Sequence, residues 1–349
     1  AINLEDAIDV REIRNLKLAN QLLKVRRKRK QQLDQQLQQQ NIQAQSQANQ
    51  ESSQAAAAAE IQKQQGIAES KVQIEQAKSG FDIQKLDPGS KEMVHLFSEV
   101  SRLAYADRAY YMADPDFINI PTQGLLNHQY IDKRRMLINK TKAAKNVSHG
   151  NPFDYMDLGK NVDISMPSTS HFVIIDEEGN AVSMTSTVEG PFGSHLMAGG
   201  FILNNELTDF SLIPEVNGKK VANRVEGNKR PMSSMTPTVI FKDNEVFALT
   251  GSPGGTSIIN YVTKSVIGLI DWKLDPSEVV QLPHYMNKGK FTELEKNTVL
   301  EDLKLDLESM GHKTKIMRKR SGLHMALKKE DGFVGGADPR REGLVIPIE

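Results

Sequence analysis

The chain has 349 residues with 44 basic and 44 acidic side chains, so its formal net charge at pH 7 is zero. This balance argues against a dedicated polyanion binder and against a disordered acidic chain. The sequence contains no cysteine, which excludes disulfides, zinc–thiolate sites and a cysteine nucleophile. No apolar run approaches 18 residues, so we expect no transmembrane helix, and the N-terminal residues do not resemble a signal peptide.

Residues 1–79 differ in composition from the rest of the chain. Glutamine supplies 11 of the 20 residues from 31 to 50, and neither Pro nor Gly occurs before Gly66. These residues permit a helix, but the apolar stripe is too thin for a globular core. We predict a long solvated helix or weak coiled coil, partly disordered, which could drive self-association. The basic block at 24–30 lacks interleaved aromatic residues, and we expect a solvated helix face rather than nucleic-acid binding.

Residues 80–168 are predicted to be mainly helical. Apolar residues recur at helical spacing from Met93 to Ala104, and Asp114-Pro115 then ends the pattern. One or two shorter helices are predicted between residues 123 and 138. Residues 146–167 are rich in Asn, Asp, Gly and Ser, which predicts an exposed loop that could be cleaved.

Strand signals dominate residues 169–349. Hairpins are predicted at 171–187, 238–250 and 322–335, with further helices at 256–272, 275–281 and 300–310. Strand pairs separated by helices indicate an α+β fold, and we predict an αββα sandwich with the long helix in front of it.

Thr169 is the candidate nucleophile. A threonine hydroxyl needs a base, and cleavage of the Ser168–Thr169 bond would create an α-amine on Thr169 that can serve as one. About 80 residues later, a buried strand ends in Gly254-Gly255, whose backbone N–H groups could stabilise an oxyanion. Each feature alone has an ordinary structural explanation, as a strand residue or a tight turn. Together they favour acyl transfer. His171 is a less suitable base, and we predict a structural role for it.

Several motifs occur between about Phe81 and the C-terminus. They are Tyr105-Ala106-Asp107-Arg108, Asp114-Pro115-Asp116-Phe117, Thr169-Ser170-His171-Phe172, 203–211, 228–235, 250–255 and Ala337-Asp338-Pro339-Arg340. In sequence and in order these motifs resemble the gamma-glutamyltransferases, also called glutathione hydrolases. The residues before them are interpreted as unrelated.

The resemblance implies an N-terminal-nucleophile hydrolase that cleaves itself before Thr169. It further implies that Thr187 hydrogen-bonds the nucleophile and that Gly254 and Gly255 form the oxyanion hole. Glu206 and Asp209 would bind the α-ammonium of a γ-glutamyl substrate, while Ser233 and Ser234 would bind its α-carboxylate. Glu189 stands where many members have Asn, close to the expected ammonium. The remaining implications concern partners and location: glutathione or other γ-glutamyl compounds as donors, amino acids or peptides as acceptors, no cofactor, associated fragments after cleavage, and a periplasmic or extracellular location.

The N-terminal part of the chain differs from the family pattern. Most of the large subunit is expected to be missing, with the Gln-rich segment in its place, and none of Arg11, Arg14 or the arginines at 26–29 lies in a matching motif. Two functions therefore stay open: an autoprocessing γ-glutamyl hydrolase and transferase, or an inactive remnant of that enzyme fused to a helical oligomerisation segment.

Overall fold

The computed structural model describes residues 24, 25, 28, 32, 82–152, 158–162 and 168–347. The chain divides into two units, Ala1–Ser79 and Gly80–Glu349. In the first unit, Lys24, Val25, Lys28 and Gln32 are helical and exposed. The rest of the predicted long helix, and the self-association expected from it, lie outside the described residues.

The longest described helix, α1, spans Lys91–Tyr111. Ser90 is its N-cap, and the Ser90 side chain accepts a hydrogen bond from the Met93 backbone N–H at 3.2 Å. Its buried face includes Met93, Val94 and Phe97, as the helical spacing predicts. Two short helices follow, α2 over Thr122–Leu125 and α3 over His128–Arg135.

A two-stranded ribbon carries Thr169. Strand β1, Thr169–Ile175, pairs antiparallel with β2, Ala181–Thr187, so that Thr169 lies opposite Thr187. The Asp176 side chain closes the turn by accepting the Asn180 backbone N–H at 2.8 Å. The ribbon packs on a four-stranded sheet through one face, which includes buried Thr169 and His171. The other face is apolar yet nearly half exposed, and it is formed by Phe172, Ile174, Val182 and Met184.

A four-stranded antiparallel sheet consists of β7 Thr238–Lys242, β8 Glu245–Gly251, β12 His324–Lys329 and β13 Gly332–Ala337. Its strand order is β13-β12-β8-β7. Helices α4, Ile258–Ile270, and α5, Pro276–Val279, pack on this sheet. The core there joins Ala248, Met325 and Leu327 of the strands to Tyr261 and Leu269 of α4.

A three-stranded sheet was not predicted from the sequence. Strands β9 Tyr285–Asn287 and β10 Thr292–Glu295 pair antiparallel, and β11, Thr314–Met317, pairs parallel with β10. Helix α6, Lys304–Ser309, lies between β10 and β11 in the chain. Helix α1 packs against this sheet, with Phe97 edge-on to Tyr285 at 5.4 Å between ring centroids.

Short strand pairs and 3-10 turns complete the described structure. The pairs are β3 Met197–Ala198 with β4 Phe201–Ile202, and β5 Glu215–Val216 with β6 Lys219–Lys220. The 3-10 turns are Ile83–Lys85, Glu206–Asp209, Gly255–Ser257 and Val299–Glu301.

The mixture of helices and strands confirms the α+β prediction. Of the four layers expected for an αββα sandwich, the described residues supply the ribbon, the four-stranded sheet and the α4–α5 layer. The outer face of the ribbon is open to solvent in this part of the chain. None of the described helices is both long and apolar enough to span a membrane.

Candidate active site

The Thr169 hydroxyl lies at the start of β1, buried and facing its strand partner. Thr169 Oγ1 donates a hydrogen bond to Thr187 Oγ1 at 3.2 Å, and Thr187 Oγ1 in turn donates to the Ser168 carbonyl oxygen at 3.4 Å. The Glu189 backbone N–H donates to the same Thr187 oxygen at 2.9 Å. This arrangement connects the candidate nucleophile to the carbonyl group of the bond that it is predicted to break.

The ribbon contacts the end of β8 near residues 250 and 251. Ser183 Oγ donates to the Thr250 carbonyl oxygen at 3.2 Å, and the His171 ring lies against Gly251, where an added Cβ would approach the ring to 2.1 Å. The chain continues from Gly251 into Gly254 and Gly255. Gly254 has φ 138°, and a Cβ there would meet the Tyr261 ring at 2.6 Å. Position 254 therefore requires glycine.

Burial also determines the protonation state of His171. Its Nδ1 is 2.9 Å from Thr185 Oγ1, and burial, with a smaller contribution from His324, lowers its pKa to about 4. The imidazole is therefore neutral near pH 7 and packed between the ribbon and β8, as expected for a structural residue.

Three acidic side chains gather beside Thr187. Glu189 is buried and has φ 71°, a left-handed conformation that costs a non-glycine residue free energy. Its carboxylate accepts a hydrogen bond from Asn205 Nδ2, and Asn205 Oδ1 accepts the Gly190 backbone N–H at 2.8 Å. Glu206 and Asp209 are the first and last residues of the Glu206–Asp209 turn, which follows Asn205 in the chain. The loop after β2 and this turn are thus held together by Asn205.

Burial and nearby negative charge raise the pKa values of Glu206 and Asp209. Burial, followed by repulsion from Glu206 and then Glu189, raises the pKa of Asp209 to about 7, against the opposing effect of Arg108. Burial and then Glu189 also raise the pKa of Glu206, although a hydrogen bond from Asp209 acts in the opposite direction. A cation placed here would relieve this repulsion, since an opposite charge favours ionised carboxylates.

Ser233 and Ser234 meet a guanidinium from helix α1. Arg108 Nη2 donates to Ser234 Oγ at 2.7 Å and to the Ser233 carbonyl oxygen at 3.5 Å. Arg108 also lowers the pKa of Asp209, so its positive charge acts on the acidic group as well as on the serine pair. Arg108 belongs to the motif Tyr105-Ala106-Asp107-Arg108, but the sequence did not predict a role for it in the site.

Buried Asn223 and the charged Arg341 were also missed by the sequence analysis. Asn223 Nδ2 donates to the Asp209 carbonyl oxygen at 2.7 Å, while its Oδ1 accepts the Met232 N–H at 2.9 Å, which joins the acidic turn to the segment before Ser233. Arg341 Nη1 donates to the Thr169 carbonyl oxygen at 2.9 Å. Neither residue has a local sequence signal, because each contact joins distant segments.

A sequence model identifies the family to which the chain belongs. The family described as Gamma-glutamyltranspeptidase has a sequence model that matches residues 58–348. The chain belongs to the gamma-glutamyltranspeptidase family. The match begins before Phe81, where the sequence resemblance was placed, and so reaches into the Gln- and Ala-rich segment.

Curated relatives support the same family membership. The chain is 38% identical over 280 residues to a glutathione hydrolase proenzyme of Bacillus subtilis strain 168, covering 77% of this chain and 47% of the relative. It is 35% identical over 281 residues to the glutathione hydrolase proenzyme of Escherichia coli K12, again covering 77% and 47%. This gamma-glutamyltranspeptidase homologue therefore spans about half the length of these relatives.

A solved structure supports the fold. Cephalosporin acylase from Bacillus halodurans is 22% identical and aligns with a TM-score of 0.62, covering 74% of this chain and 46% of the acylase. At this identity the similarity shows a shared fold and nothing about the substrate.

Proposed function

We propose that the chain is a self-cleaving γ-glutamyl hydrolase and transferase with Thr169 as its nucleophile. The observation that carries this proposal is the hydrogen-bonded series from Thr169 Oγ1 through Thr187 Oγ1 to the Ser168 carbonyl oxygen. Residues 80–168 would form the C-terminal part of the N-terminal fragment, and residues 169–349 the catalytic fragment.

In the self-cleavage step, Thr169 Oγ1 attacks the Ser168 carbonyl carbon. Its proton passes toward Thr187, whose hydroxyl donates to the Ser168 oxygen as negative charge develops there. The C–N bond then breaks and the Thr169 nitrogen takes the proton, which leaves Ser168 esterified to Thr169. Water hydrolyses this ester and releases the Ser168 carboxylate, a free hydroxyl and a free α-amine on Thr169.

The free α-amine then acts as the base for the substrate reaction. Its ordinary pKa of about 7.7–8.0 lies near the pH at which a general base is effective. Thr169 Oγ1 attacks the γ-carbonyl carbon of the substrate, and the Gly254 and Gly255 N–H groups stabilise the oxyanion. The leaving amine departs with a proton, and the γ-glutamyl ester on Thr169 passes to water or to the amine of an amino acid or peptide acceptor.

The charges around Thr169 suit the two ends of a γ-glutamyl group. Glu189, Glu206 and Asp209 supply negative charge for the α-ammonium. Arg108 and Ser234, 2.7 Å apart, supply donors for the α-carboxylate. Glutathione carries both groups next to its γ-amide, and the curated relatives are named as glutathione hydrolase proenzymes.

The alternative is an inactive remnant fused to an interaction segment. It is favoured by the exposed apolar face of the ribbon. In this alternative the Ser168–Thr169 bond stays intact and residues 1–79 serve assembly.

Intact mass distinguishes these functions. We expect the purified chain of 38.9 kDa to convert into fragments of residues 1–168 and 169–349, and we expect Thr169→Ala to remain whole. Thr169→Ser retains a hydroxyl and should cleave, which controls for altered folding. An intact wild-type chain after prolonged incubation would contradict self-cleavage. Release of glutamate from glutathione by the cleaved protein, and its absence in Thr169→Ala, tests the substrate reaction separately.

A further inference from the structure

A cavity of about 640 Å³ lies against helix α1. Arg102, Tyr105, Ala106 and Ala109 line it from one face of α1, at the i, i+3, i+4 and i+7 positions. Arg108 lies on another face of the helix, where it reaches Ser234. The cavity is therefore separate from the cluster of acids and serines around Thr169.

The lining of this cavity is strongly basic. Within the part of the chain that the structure describes, no acidic residue lines it, whereas six cationic side chains do: Arg102, Lys145, Lys160, Lys288, Lys290 and Lys313. They come from helix α1, from the loops that contain Lys145 and Lys160, and from the β9–β10 and α6–β11 connections. Five distant segments thus bring the same charge to one concavity.

Two of these cations are already balanced. Arg102 Nη1 contacts Glu99 Oε1 at 2.6 Å, with both side chains buried, and Lys288 Nζ is 3.8 Å from Glu293 Oε1. Among the described residues, no carboxylate lies within ion-pair distance of Lys145, Lys160, Lys290 or Lys313, so about four positive charges remain uncompensated around the cavity. Near pH 7 His312 adds none, because burial and the neighbouring His95 lower its pKa to about 4.

We propose that this cavity binds a small anion with two linked phosphate groups, of the size of a nucleoside diphosphate. The volume falls within the range of small-molecule sites, about 300–1,000 Å³. The available cations are lysines, which bind phosphate oxygens as point charges, and the Arg102 guanidinium is already held by Glu99. A nucleic acid would need a longer basic track than this single concavity offers.

The cavity also touches the turn that carries the proposed oxyanion donors. Tyr105 donates its hydroxyl to the Thr256 carbonyl oxygen, and Lys288 Nζ donates to Ser257 Oγ at 3.0 Å. Both Tyr105 and Lys288 line the cavity, and the Gly255–Ser257 turn follows Gly254. A bound anion that draws Lys288 toward it would therefore act directly on this turn.

Calorimetric titration of the full chain with pyrophosphate, and separately with ADP, tests the proposal. We expect saturable one-to-one binding that weakens when salt is raised from about 50 to 150 mM, as for an electrostatic site. Citrate should bind at least about 10-fold more weakly, because it offers carboxylates in place of linked phosphates. The measurement does not depend on cleavage at Thr169, so it can fail while the proposed function holds, and the reverse.

A charge-matched pair of double variants locates the binding. Lys290→Gln with Lys313→Gln should weaken pyrophosphate binding at least about 10-fold, since each lysine would make a charge-assisted contact. Lys304→Gln with Lys315→Gln removes the same charge from exposed positions outside the cavity and should change affinity less than about 2-fold. Thermal melting of both variants checks folding. The absence of saturable binding, equal losses in the two variants, or binding of citrate as strong as that of pyrophosphate would overturn the proposal.

Discussion

Asp114 and Arg230 connect two segments that lie on opposite sides of the Ser168–Thr169 bond. Arg230 Nη2 is 2.7 Å from Asp114 Oδ1, Arg230 Nε is 3.1 Å from Oδ2, and the Arg230 backbone N–H donates to Oδ2 at 2.8 Å. The Asp114 side chain is buried, and these contacts hold the pKa of its carboxyl well below its ordinary value. If the chain cleaves itself, this pair would join its two fragments.

Arg230→Met should weaken the association of the fragments without preventing cleavage. The variant leaves the Asp114 carboxylate without the guanidinium, so we expect a lower Tm and loss of the N-terminal fragment during gel filtration. Arg135→Met, which removes a partly exposed ion pair with Asp132 on α3, is the control and should change neither. Fragments that remain together in Arg230→Met to the same extent as in the wild type would contradict this role.

The same pair predicts a pH dependence of stability. Asp114 has a lowered pKa in the folded state, so its contribution is present above the unfolded value of about 3.9 and is lost as the pH falls through the folded value. The Tm difference between wild type and Arg230→Met should therefore be full at pH 6 and shrink below about pH 4. Melting curves from pH 3 to pH 7 measure this.

Thr187→Val should slow self-cleavage without unfolding the ribbon. Valine keeps the branched shape but removes the oxygen that connects Thr169 Oγ1 to the Ser168 carbonyl group. We expect a rate loss of about 10²–10³-fold, typical of removing one polar group that stabilises an oxyanion. Ser186→Ala removes the neighbouring exposed hydroxyl on the opposite face of β2 and should cleave at the wild-type rate. The time course of fragment formation on denaturing gels is the measurement.

Parts of this site could be predicted from the sequence because short stretches of neighbouring residues mark them. The turn residues from Asp176 to Asn180 mark the end of one strand. The consecutive glycines at 254–255 follow closely on the end of another. The β9–β11 sheet was missed because Tyr285, Met286 and Asn287 are all buried, so no alternation of polar and apolar residues marks the strand. Arg341 was missed because it contacts Thr169, which lies 172 residues earlier.

Substrate affinity should improve as the pH rises through about 7. Asp209 has a pKa raised to about 7, so it is largely protonated below that value and cannot pair fully with an α-ammonium. We expect KM for a γ-glutamyl anilide to fall between pH 6 and pH 8, and Asp209→Asn to raise KM at pH 8 by about 10-fold or more. A KM that is independent of pH in the wild type would contradict this assignment.

Glu189→Gln should move this pH dependence to lower pH. Glu189 raises the pKa of both Asp209 and Glu206 by repulsion, and glutamine removes that charge while keeping the side-chain length. The midpoint of the KM profile should therefore fall below that of the wild type. Glu215→Gln, an exposed acid on β5, is the charge-matched control and should leave the midpoint unchanged. An equal shift in both variants would indicate a general effect of net charge.

Arg341→Met should impair self-cleavage by releasing the start of β1. Arg341 Nη1 donates to the Thr169 carbonyl oxygen at 2.9 Å, and its Nε donates to the Arg320 carbonyl oxygen at 3.1 Å, so the side chain fixes Thr169 relative to the segment before β12. A hydrogen bond to a charged group contributes about 1.5–3 kcal/mol, which corresponds to a slowing of at least about 10-fold if the contact is fully used in the transition state. Arg341→Lys keeps the charge and should restore part of the rate, whereas Arg318→Met, an exposed neighbour, should cleave normally. Because the contact holds the backbone rather than the hydroxyl, the pH dependence of cleavage should stay as in the wild type, while Thr187→Val acts on the proton path itself. Normal cleavage in Arg341→Met would show that strand pairing alone positions Thr169.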